Sequence, residues 1–232
     1  MENITLKYID PILNNNSWKA ISAMAQRGIG DNYWDVGDCK AITLNGQIGS
    51  YLTLSNYTTY VFILDFNHPI NKSTADNNII FSGFKTALTS GVDVCLCDSG
   101  CGYSKTSGIY FNINHKQINT TVYNSNYGGW KGCDFRYDIL GAVQTAPSPY
   151  NAAKTTSTTG SDATTAAITS PIANTLMAAL PNDMRSVLRL WTRYVDNKGN
   201  SSNIDANVTA CIDAGISLLA EYEIFGSRSY AN

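Results

Sequence analysis

Charge is what this sequence has least of. Asp, Glu, Lys and Arg make up 15% of its 232 residues, against roughly 25% in an ordinary soluble domain. With 16 basic side chains and a net charge of −2, it offers no electrostatic footprint for nucleic acid, which needs clustered Lys and Arg. The nearest approach to a cluster is Arg185, Arg189 and Arg193, which a helix would place along one drifting, solvated face. Long apolar runs are also missing. Nothing approaches the ~18 residues that span a bilayer, so membrane insertion is not expected. Met1–Asp10 has neither a basic start nor a continuous apolar stretch, which argues against a signal peptide.

Motifs of catalysis are equally scarce. There are two histidines, His68 and His115, and neither lies in a His-Glu-x-x-His arrangement. No Gly-x-Ser-x-Gly elbow and no glycine-rich phosphate loop occurs. Asp98-Ser99-Gly100 reads as a turn. Glu221 and Glu223 would share a face on a strand but not on a helix, and the helical reading is preferred. The expectation is a protein without catalytic residues and without a cofactor.

What the sequence does contain is a core and a neutral polar surface. Hydrophobic residues supply 44% of the chain, enough for one sizeable domain. The polar remainder is chiefly Asn, Ser, Thr and Tyr, which adapt their hydrogen bonding to many partners and let Tyr add contact area at low entropic cost. The same mixture also occurs in plain extracellular β-rich proteins.

Local signals suggest an α+β domain with an antiparallel sheet and short helices. Residues 1–16 read as an N-terminal arm ending in an Asn run. Ser17 is a natural N-cap for a helix over Trp18–Arg27, with Trp18, Ile21 and Ala25 on one face and Gly28 closing it. Lys40–Leu44 and Gln47–Leu54 flank Asn45-Gly46, a strong two-residue hairpin signal. Tyr57–Asp65 reads as a central strand, and Ile79–Phe84 and Gly108–Ile113 as shorter ones. Asp134 is placed to cap a short helix over Asp134–Leu140. Residues 145–170 are rich in small residues and read as a low-complexity surface excursion. Ser170-Pro171 opens a helix reaching Leu180; Met184–Val195 is helical or strand-like, and Leu218–Phe225 closes the domain. Residues 17–232 are expected to form one unit.

Cys95, Cys97 and Cys101 form the densest thiol cluster. With Cys133 and His68 or His115 they could in principle bind zinc. Their spacing lacks paired Cys-x-x-Cys elements, so ordinary thiols or one local disulfide are favoured and no metal site is assigned. Cys39 and Cys211 read as small core residues.

Two segments carry a signature: Gly128-Gly129-Trp130-Lys131-Gly132-Cys133-Asp134-Phe135-Arg136-Tyr137-Asp138-Ile139-Leu140, and Leu218-Leu219-Ala220-Glu221-Tyr222-Glu223-Ile224-Phe225-Gly226. Together with Trp18, Val36-Gly37-Asp38 and Phe66-Asn67-His68, they resemble an uncharacterised domain family of phage tail proteins and Gram-positive surface proteins. The resemblance runs from about Trp18 to Gly226. It implies a C-type-lectin-like fold and a virion or tail-associated adhesion or decoration role, such as receptor binding, with a bacterial cell-surface or secreted carbohydrate-binding domain as the alternative. A thiol- or metal-dependent enzyme is the less favoured reading. The partners implied are a host-surface glycan or protein, or other virion proteins. Family members continue past Gly226 into further strands, which implies either that the chain is a fragment or that a homo-oligomer or a partner-completed fold supplies the closing strands. Within the signature, Gly128 and Gly129 would set Trp130 into the core, and Arg136 would pair with Glu221 or Glu223.

Overall fold

The computed structural model describes residues 8–49, 52–71, 74–85, 96, 130–147, 160–196 and 208–219. These form two compact units. Unit 1 is built from residues 1–47, 52–96 and 179–188, and unit 2 from residues 48–51, 97–178 and 189–232. Helices and antiparallel strands coexist, so the class is mixed α and β.

Unit 1 opens with a single 3-10 turn at Leu13–Asn15. The expected arm is thus folded at its end: Leu13 and Asn16 are buried. The Asn16 amide donates to the carbonyls of Asp10 and Ile12, and its oxygen accepts from the Asp10 N–H. Lys40 clasps the same segment, its Nζ donating to Asn14 O at 3.1 Å and Asn16 O at 2.6 Å while lying over the Trp18 ring. Burial pulls this ammonium below the usual lysine range, with Asp183 opposing. Helix α1 (Trp18–Gln26) follows where expected. Ser17 Oγ accepts from Ala20 N at 3.2 Å, Trp18, Ile21 and Met24 face the core, and Gly28 closes the helix at φ +67. Replacing Ser17 with Ala orphans that amide. A loss of about 1 kcal/mol in urea-unfolding stability is expected.

The sheet of unit 1 has the order β1-β2-β5, from strands β1 (Cys39–Ile48), β2 (Leu52–Phe66) and β5 (Ile79–Lys85). β2 is central, as its β-branched and aromatic run suggested, and pairs antiparallel with β5 from Tyr60↔Lys85 to Phe66↔Ile79. The expected Asn45-Gly46 turn does not form. β1 runs through both residues to Ile48, and β2 begins at Leu52. Gly46 is needed for its φ of +127, which a side chain resists; a Cβ there would meet Ala179 only at ordinary contact distance, 3.9 Å. Between β2 and β5 lies the small pair β3 (Pro69–Asn71) and β4 (Thr74–Ala75). Ile42, Leu44, Leu54, Val61 and Ile63 fill the core beneath the sheet, and the Trp18 ring meets Phe81 edge-on at 5.3 Å.

Unit 2 differs more from the sequence reading. The expected helix after Cys133 is a π-helical turn, Phe135–Ile139, and Asp134 makes no side-chain cap bond to it. The Leu140 N–H instead reaches Phe135 O at 2.9 Å, the wide bond of a π turn, which is rare and often marks functional sites. The second half of the low-complexity stretch is no excursion: Ala163, Ala167 and Ile168 are buried, and α2 (Ala166–Thr169) forms there. The helix expected from Ser170-Pro171 shrinks to α3 (Leu176–Ala179), where the Ala178 N–H reaches Thr175 Oγ1. Beyond Pro181, α4 (Asn182–Arg185) belongs to unit 1. β6 (Trp191–Asp196) pairs antiparallel with β7 (Val208–Asp213). Arg185 and Arg193 therefore sit on a helix and a strand, and the arginines share no helical face. Gly108–Ile113 and residues 220–225 lie outside the described residues.

Candidate functional site

Strand alternation gives the β1–β2 hairpin an inside and an outside. In β1 the buried positions are Lys40, Ile42, Leu44 and Ile48, so Thr43, Asn45 and Gln47 project outward. In β2 the buried set changes parity, from Leu54 to Thr59, Val61 and Ile63. The change falls at Asn56, whose φ is +49 and whose N–H donates to Asn45 Oδ1 at 2.6 Å. One extra residue in a strand shifts every later side chain to the other face, as a β-bulge does. Through this shift Thr53, Ser55 and Thr58 remain outward on both sides of Asn56. The outcome is a neutral face of hydroxyls and amides held on hydrogen-bonded strands. Sequence reasoning saw the composition but not the face, because the hairpin register was misplaced. The parity break from Leu54 to Thr59 was the available signal.

The signature segment of unit 2 converges on a buried carboxylate. Asp213, fully buried at the end of β7, accepts from Arg136 Nε on Oδ1 at 2.6 Å and from the Trp130 indole N–H on Oδ2 at 2.8 Å. Arg136 is spent entirely on internal acceptors: its other nitrogens donate to the carbonyls of Lys131, Ser161 and Ile212. Arg193 is also buried, with its guanidinium 4.9 Å from the Trp191 ring and 6.0 Å from Trp130 and 4.0 Å from Asp213 Oδ2. Burial raises the Asp213 pKa; Arg136, Trp130 and Arg193 pull it back. Both carboxylate oxygens accept from N–H groups of side chains that have no acceptor atom to receive a proton. The site therefore fits the ionised form.

Two expectations meet this geometry. Arg136 pairs with Asp213, while Glu221 and Glu223 lie outside the described residues. Trp130 is half-buried, its indole serving as a hydrogen-bond donor to Asp213 rather than as core filling. At the edge of this network Lys131 meets Asp162 at 2.8 Å. Burial raises Asp162, but the Lys131 hydrogen bond, the Ile212 N–H and the charges of Lys131 and Arg136 hold it below the usual range. The arrangement is an ion-pair scaffold with its donors turned inward.

The remaining candidates are scattered. Cys133 and Cys211 are buried thiols, and Cys39, expected in the core, is only half-buried. Burial pushes the first two thiols up to about 12. His68 Nδ1 lies 2.8 Å from Asp65 Oδ2. Cys95, Cys97, Cys101 and His115 lie outside the described residues, and no group of metal-binding side chains occurs among those described. No family model matches the chain, and no curated protein or solved structure is significantly similar to it.

Proposed function

We propose that the protein is a non-enzymatic adhesion or decoration module of a virion or phage tail, acting through surface contacts with a host-surface glycan or protein, or with another virion protein. The outer face of β1 and β2 carries this reading: Thr43, Asn45, Gln47, Thr53, Ser55 and Thr58 are all exposed, neutral and held on regular strands. Sites on strands are positioned more firmly than sites on loops. Neutral hydroxyls and amides match the hydrogen-bonding groups of a sugar or a polar protein surface.

The resemblance of the Gly128–Leu140 and Leu218–Gly226 segments to phage-tail and Gram-positive surface domains supports the same reading, and with it a C-type-lectin-like fold. So does the use of Arg136 and Asp213, two of the strongest polar groups in the chain, inside the scaffold. Glycan-array and host-cell binding measurements test the proposal. Thr43→Arg with Thr58→Arg is expected to reduce binding at least tenfold with an unchanged melting temperature, because both side chains point to solvent. Absence of binding to any glycan, host cell or virion component by the parent protein would sink it.

A further inference from the structure

Five large apolar side chains are exposed on joined segments among the described residues of unit 1. Tyr8 is 79% exposed, Ile12 61%, Tyr33 39%, Val36 63% and Leu64 38%. Backbone and ring contacts join their segments. Trp34, beside Tyr33 in a tilted ring contact, donates its indole N–H to Asp10 O, between Tyr8 and Ile12. Gly37 N donates to Ile63 O and Ile63 N to Asp38 O, which sets the Val36 turn against Leu64. Exposed apolar patches of this kind mark interaction sites.

Among the described residues of these segments the exposed charge has one sign, and the Lys40 ammonium that clasps residues 14–16 is buried. Asp10, Asp31, Asp35, Asp38 and Asp65 lie in these segments, and residues 8–16, 29–39 and 61–67 contain no Lys or Arg. Several of these carboxylates are fixed by local hydrogen bonds. Asp10 accepts from Ile12 N and Asn15 Nδ2, Asp38 from Asp35 N, and Asp65 from Phe66 N. Two copies meeting through this same patch would oppose like charges, which costs several kcal/mol. An anionic membrane is disfavoured for the same reason.

We infer that this surface docks a protein segment carrying Lys or Arg around apolar side chains. The apolar residues supply the desolvated centre, and the aspartates supply register and steering. The inference concerns the Leu64 end of β2, about 20 Å along the strand from Thr58, and stands independently of the adhesive role given to the neutral face.

A Leu/Lys amphipathic peptide serves as the probe on the full chain, with Leu/Glu and Ser/Lys peptides as controls. The Leu/Lys peptide is expected to bind with NMR shift changes centred on Ile12, Tyr33, Val36 and Leu64. Its affinity should fall at least tenfold in Ile12→Ser with Val36→Ser, and also in Asp31→Lys with Asp35→Lys. All four side chains are exposed, so melting temperatures should not move. Several results would overturn the inference: no binding, equal binding of either control, shifts centred elsewhere, or variants that bind like the parent. Sedimentation of the chain alone adds another. A dimer abolished by Ile12→Ser with Val36→Ser would assign the surface to a second copy instead.

Discussion

Asp213→Ala is expected to destabilise unit 2 by about 3–5 kcal/mol, the cost of breaking a buried ion pair by removing one member. Asp213 is 0% exposed and Arg136 1%. Without the carboxylate, Arg136 Nε, the Trp130 indole N–H and the Arg193 charge all lose their shared partner. Neither arginine can turn to water without opening the unit. The loss is large against the roughly 5–15 kcal/mol that holds a domain together. Asp213→Asn should fall between parent and Ala, since its amide keeps one acceptor and presents an N–H to a donor on the other side. Arg136→Met with Asp213→Leu should cost less than the sum of the single changes, because the Arg136 charge is then not left stranded, although Arg193 still loses its counter-ion. Trp130 and Trp191 border the network, so urea unfolding followed by tryptophan fluorescence reads it directly. A loss below about 1 kcal/mol for Asp213→Ala would mean that the pair contributes nothing net.

Alkali gives the second large effect. Cys133 and Cys211 have thiols pushed by burial from an ordinary 9.0 to about 12. Below pH 9 both folded and unfolded chains hold these protons, and stability does not depend on them. Between pH 9 and 12 the unfolded chain releases both while the folded chain keeps them. Stability therefore falls as pH rises, by about 1.4 kcal/mol per pH unit for each thiol. Urea midpoints between pH 9 and 11 should show this slope, and Cys133→Ala should remove about half of it whatever the variant's starting stability. Thiol reagents at pH 8 should label these two residues only after unfolding. An unchanged slope in Cys133→Ala would show that the thiol ionises equally in both states.

The contrast between Ser17 and Asn45 explains what the sequence could reveal. Ser17 acts on an amide three residues away, so the cap and the helix it starts are local and legible. Asn45-Gly46 is an equally strong local signal, yet the strand continues through it. Gly46 takes a positive φ inside β1, and the Asn45 side chain serves Asn56 across the hairpin. Positive φ shows that a glycine is required; it does not show that the chain turns there. The neutral face was legible as composition and hidden as geometry, because its register depends on the Asn56 shift. The Arg136–Asp213 pair spans 77 residues, and Ala210–Ala214 carries no motif to announce it. Only the arginine, lying in the signature segment, could be singled out. The π-helical turn could not be told from an ordinary helix, because the wide Leu140–Phe135 bond leaves no mark in residue type.

The interleaving of the two units in the chain has a consequence for synthesis. Helix α1 can form as soon as it is made, but its α4 neighbour comes from Asn182–Arg185. The acid that neutralises Arg136 arrives later still, at the end of β7. Nascent domains usually fold one after another from the N-terminus. Here both units are left waiting, and Arg136 has no counter-ion until the ribosome has passed residue 213. During that interval the half-made chain displays its apolar strands, and a chaperone that shields them would raise the yield of folded protein more than one that accelerates any single step.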